Sequence, residues 1–167
     1  MKRPPIVGMA LALAAGLLLG LLLFRSTAPA ELTSGELADA RSRWEANGPS
    51  SYIFELQMGG ALDDRRRIEV HDGVVVAMTS NEQPSAESSW EHWSVDAMFG
   101  FLETELRNAA DPKKTLGVAD ASQVVLRADF DPQLGYPSFF FRHLLGRQQS
   151  TEWKVVRFES RDQPGPD

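Results

Sequence analysis

From Ile6 to Phe24 the chain has no polar phase: IVGMALALAAGLLLGLLLF is 19 residues without a charged or strongly polar side chain. As a helix this run reaches about 28 Å, close to the thickness of a bilayer's hydrocarbon core. Lys2 and Arg3 precede it, and Arg25 alone follows before the first acid, Glu31. That bias predicts a single-pass signal anchor over residues 1–25, with a cytoplasmic N-terminus and an extracytoplasmic remainder. Its partner is the lipid bilayer, through Ile6 to Phe24. A rival reading is a secretory signal cleaved near Ala30, after the small residues of APA, although signal cores usually run to about 7–15 residues. Residues 26–33, which include the polar STAPAE, read as a short linker that holds the domain near the membrane.

Beyond the linker two other rhythms alternate. Thr33 and Glu36 have capping-box spacing, and Leu37, Ala40, Arg41 and Trp44 then fall on one helical stripe that Asn47-Gly48-Pro49 stops. Trp44 reads as a packing residue of that helix. SYIFELQM alternates with period two, placing Tyr52, Phe54, Leu56 and Met58 on one face of a strand. Asp72-Gly73 stands between two β-branched runs and predicts a two-residue hairpin turn, with Ile68 and Val70 inward and Arg67, Glu69 and His71 outward. Ser80 to Ser89 is polar and reads as a mobile loop, ending in WEHW, Trp90 to Trp93. Ser94 caps a second helix whose Val95, Met98, Phe99, Leu102, Leu106 and Ala109 recur at helical spacing. QVVLRADF, SFFFRHL and EWKVVRFES supply the last strands, and residues 161–167 a tail. The order helix, three strands, helix, three strands predicts an α+β domain over 34–160. Its antiparallel sheet has about five to six strands, with two helices packed on one face.

Composition narrows the chemistry. The chain has no cysteine, which removes disulfides, zinc–thiolate sites and thiol nucleophiles. From Glu31 onward 14 Lys and Arg stand against 23 Asp and Glu, a net charge of −9. An acidic domain of that kind is a poor partner for nucleic acid or anionic headgroups.

Several landmarks stand in a family's order: a Trp-bearing helix, YIFEL, IEVHDGVVV, SVDAMF opening a helix, and LRADFDPQLGYP before the closing strands. Over roughly Ala40 to Glu159 the chain resembles the bacterial family catalogued as domain of unknown function 6174. The most specific piece is Phe130, Asp131, Gly135, Tyr136 and Pro137. The resemblance implies an exported protein, and relatives are often lipoproteins; here the apolar N-terminal run stands where they carry a lipid-modified cysteine. Relatives also tend to have an acidic residue after the Gly-Tyr-Pro strand, where this chain has Arg142. The resemblance implies no reaction.

The stretch DFDPQLGYP raises the question of an active-site loop. Asp129 lies on the face of Val125 and Arg127, and Arg127 is a ready ion-pair partner for it. Asp131 before Pro132 suits an Asx-turn, Gly135 a left-handed residue, and Pro137 the first residue of an edge strand. Tyr136 would cap the sheet end. Turn chemistry thus explains Asp131, Pro132, Gly135 and Pro137, as it does Asp72 and Gly73, and leaves Asp129 and Tyr136 as candidates for a partner. His71, His92 and His143 lie on separate elements with no i, i+4 pair, so no metal or other cofactor is expected. Trp90 and Trp93 beside a mobile loop are candidate partner anchors. In FFF at least one ring must leave the common face, which makes Phe140 part of an expected exposed apolar patch. No catalytic residue is assigned. The leading expectation is a non-catalytic domain that binds a protein or ligand of the cell envelope. The alternatives are a hydrolase-like enzyme using Asp129 or Asp131, and a structural envelope component.

Overall fold

The computed structural model describes residues 29–59, 64–147 and 149–162. The apolar run at Ile6 to Phe24 lies outside them, and no described helix is long and apolar enough to cross a membrane.

Helix α1 spans Ser34–Asn47, and Thr33 caps it: its hydroxyl accepts from Glu36 N at 3.2 Å and meets the Glu36 carboxylate at 3.0 Å. Strand β1 (Tyr52–Gly59), β2 (Asp64–His71) and β3 (Val74–Ser80) follow as antiparallel neighbours. Asp72 and Gly73 both take positive φ (49° and 78°), as a two-residue hairpin turn requires. Helix α2 spans Val95–Ala110 and is capped by the Ser94 hydroxyl, which accepts from Ala97 N at 3.1 Å. After a four-residue α3 (Pro112–Thr115) come β5 (Val124–Phe130), β6 (Pro137–Leu144) and β7 (Gln149–Ser160).

The sheet has seven strands in the order β4-β3-β2-β1-β7-β6-β5, one or two more than expected. The extra strand is β4 (Gln83–Pro84), which pairs back on Thr79 and Ser80. The expected mobile loop is thus an ordered path: a turn at Asn81 and Glu82 with positive φ, then β4, then a 3-10 turn over Glu87–His92. β1 is the link between halves, with β2 on one side and β7 on the other.

Both long helices cover one face of the sheet. Tyr52, Phe54, Leu56, Met58, Ile68, Val70 and Trp153 form the core there with Leu37, Ala40, Trp44, Val95, Met98, Phe99 and Leu102. The other face carries an ion-pair ladder, in which Glu55 takes Arg65 at 2.5 Å and Arg157 at 3.6 Å.

Phe140 corrects the expectation of an exposed patch. It is fully buried, opposite Ala128 on β5 and Trp153 on β7, while Phe139 and Phe141 turn to the helix-free face. The parity follows from what lies across the strand: Phe140 meets Trp153 at 5.7 Å and Phe101 of α2 edge-on at 5.1 Å. These two aromatic contacts in the core decide which ring turns inward.

The linker is corrected as well. Leu32 N donates to Leu126 O and Ala128 N to Ala30 O, each at 3.1 Å, and Glu31 bridges to Arg127. Leu32 is buried. Residues 30–32 therefore strap the outer edge of β5 and are part of the fold. β6, which Pro137 opens, pairs with both β5 and β7 and is an interior strand, not an edge. The tail is also tied at its start: the Asp162 carboxylate accepts from Ser50 N at 2.6 Å and Ser51 N at 2.9 Å.

Candidate functional site

A largely apolar concavity lies over the middle of the sheet, between it and α2. Met58 and Trp153, partners across β1 and β7, form its floor. Trp93, just after the 3-10 turn, lines it together with Met98 and Phe101 of α2. The volume is about 590 Å³, within the range of small-molecule sites. His92, Thr104 and Thr151 are the polar groups of the lining.

Gly100 leaves this groove open. It sits inside α2, where glycine costs about 0.5–1 kcal/mol relative to alanine. A Cβ built on it would meet nothing within 4 Å, so packing does not require the glycine. The helix is weakened at a position where the only visible effect is free space in the groove.

Two polar networks hold the lining. The Arg66 guanidinium lies 4.4 Å from the centre of the Trp93 ring, a cation–π arrangement. Arg66 Nε donates to Asp64 at 2.7 Å, and Ser80 Oγ donates to the same carboxylate at 2.6 Å. Burial alone would push the Asp64 carboxyl up, but the Ser80 and Arg66 hydrogen bonds and the Arg66 charge hold it below the usual carboxylate value. On the other flank Arg142 Nη1 donates to both oxygens of buried Glu105, at 2.7 and 2.8 Å, while its Nη2 donates to Thr151 Oγ1 at 3.1 Å. Arg142 thus pairs with a carboxylate from α2.

The expected anchors fall into two groups. Trp93 lines the groove; Trp90 is half-buried against the core, its indole N–H donating to Ser85 O at 3.2 Å. Asp129 is elsewhere, and it takes Ala30 N of the strap at 3.3 Å. Arg127 donates to Pro29 O at 3.2 Å, so the two neighbours clasp the strap and not each other. Asp131 makes the expected Asx-turn, accepting from Gln133 N at 3.0 Å and Leu134 N at 2.7 Å. Gly135 has φ +89°, and a Cβ there would lie 2.8 Å from Cβ of Arg43 and 2.9 Å from Trp44 N, so the turn also seats α1. Tyr136 stacks on Phe158 with ring centres 4.3 Å apart. The three histidines do not converge: His71 lies beside Asp72, His92 beside Glu91, and His143 against Phe141. Among the described residues no cluster of three or more His, Asp or Glu is placed to hold a metal ion.

The groove offers aromatic faces, thioethers and two hydroxyls. These are contact groups for an apolar ligand, and methionine adapts its shape to what it meets. Met58, Phe101 and Trp153 carried no mark of a site in the sequence, because strand pairing joins segments far apart in the chain. The glycine inside a strongly periodic helix was the one signal to follow.

No curated protein and no solved structure gives a significant match to this chain. One family model does, over residues 36–141, well over half of the chain and from α1 into β6. The chain belongs to the Family of unknown function (DUF6174).

Proposed function

We propose that this is a membrane-tethered, extracytoplasmic binding domain whose groove between α2 and the sheet takes up an unbranched apolar group such as an acyl chain. The observation that carries the reading is the groove itself: Met58, Trp93, Met98, Phe101 and Trp153 around a space that Gly100 leaves open. The apolar run at Ile6 to Phe24, with Lys2 and Arg3 before it, supports the tether and its direction. The hydrolytic reading has less support, since Asp129 and Asp131 already accept backbone hydrogen bonds from strap and turn.

Brominated fatty acid added to the purified domain tests this, because bromine quenches nearby indoles. Trp93 and Trp153 line the groove, so quenching should be saturable. Gly100→Leu, which fills the groove from a helix position that favours leucine, should abolish most of the quenching without lowering the melting temperature. Gly100→Ala should keep the quenching and add about 0.5–1 kcal/mol of stability. Equal, unsaturable quenching in the parent and Gly100→Leu would sink the proposal.

A further inference from the structure

The strap determines how far the domain can move from whatever holds its N-terminus. Ala30 to Leu32 are fixed on β5 by backbone hydrogen bonds, and the Pro29 carbonyl is gripped by Arg127. Only Arg25, Ser26, Thr27 and Ala28 separate the apolar run from Pro29. Five extended steps from Phe24 to Pro29 span at most about 18 Å.

We infer that the domain is held edge-on to the bilayer, with the strap and β5 toward the lipid and the β3–β4 edge away from it. This rests on the tethering reading above. The sheet order puts β3 five strand spacings from β5, roughly 24 Å at about 4.8 Å per spacing. The groove over β1 and β7 lies two to three spacings up, roughly 10–14 Å. Charge opposes the flat alternative: a net −9 from Glu31 onward repels anionic headgroups within a Debye length of about 8 Å. Only the strapped edge, pulled in by its own chain, is forced close. The acidic groups near the strap, Glu36 and Asp39 at the start of α1, then face the surface across the short tether.

The absence of cysteine makes the test clean, because one introduced thiol is labelled alone. A nitroxide is attached in the full chain at Asp39→Cys, beside the strap, or at Gln83→Cys, on β4; both positions are exposed. The protein is reconstituted into vesicles that carry nickel-chelating headgroups, and nitroxide relaxation is measured. Relaxation should be several-fold stronger at 39 than at 83, and a long Gly-Ser insertion between Ala28 and Pro29 should erase the difference. Equal relaxation with the native tether overturns the edge-on arrangement while leaving the tether standing. Protein that does not float with the vesicles overturns the tether, and the orientation with it.

Discussion

The chain has two tyrosines, and both hydroxyls are turned into the fold. Tyr52 accepts from Val95 N at 2.9 Å, and burial pushes its hydroxyl up to about 12. Tyr136 is also raised to about 12, first by burial and then by the charge and hydrogen bond of Asp131. An unfolded tyrosine ionises near 10, so above about pH 10 the unfolded chain loses these protons before the folded one does. The stabilisation is therefore complete below about pH 10 and is lost as pH rises toward 12. For Tyr52 it is on the order of 2–3 kcal/mol, and half-exposed Tyr136 adds less. Phenolate absorbance should rise together with loss of the fold between about pH 10 and 12; titration near 10 with the fold intact would show the hydroxyls to be accessible. The turn chemistry of Asp131 and Gly135 was legible in the sequence because it is local. The close seat of Gly135 against α1 was not, because Arg43 and Trp44 meet it only in three dimensions.

Elements were legible to the extent that their signals are periodic. The caps of α1 and α2, the alternation of β1 and the Asp72-Gly73 hairpin all stand as the pattern predicts. The sidedness of β6 did not follow from its own residues, since three consecutive phenylalanines fit either parity. Trp153 and Phe101, from other elements, decided it. Arg142 shares the inward side of β6 with Phe140 and needs a partner there, which Glu105 supplies from the apolar stripe of α2. Removing one member of such a pair strands the other, so Arg142→Ala, which leaves buried Glu105 without its cation, should cost about 3–5 kcal/mol, and Glu105→Ala somewhat less because the Arg142 it strands is partly exposed. The double replacement Glu105→Ala with Arg142→Ala should cost less than the two single losses combined. Urea unfolding of the four proteins checks this; simple additivity would mean that the pair is not coupled.

At the scale of the whole molecule the strap extends the domain beyond α1, its first helix. Leu32 is buried, and Ala30 and Leu32 each make one backbone hydrogen bond to β5. A domain beginning at Pro29 should therefore melt roughly 10 °C higher than one beginning at Thr33. Equal melting temperatures would reduce the strap to a passive contact. Strand order has a separate bearing on how the molecule comes into being. β1 lies between β2 and β7, and Tyr52 faces Ser160 across the second of these pairs. The ribosome delivers β1 early and β7 last of these strands, so a growing chain keeps its central strand one partner short until β7 has emerged. Loop closure over so long a separation is slow relative to hairpin formation. The β1–β2–β3 meander can assemble early, but the sheet joins its halves only after β7 arrives.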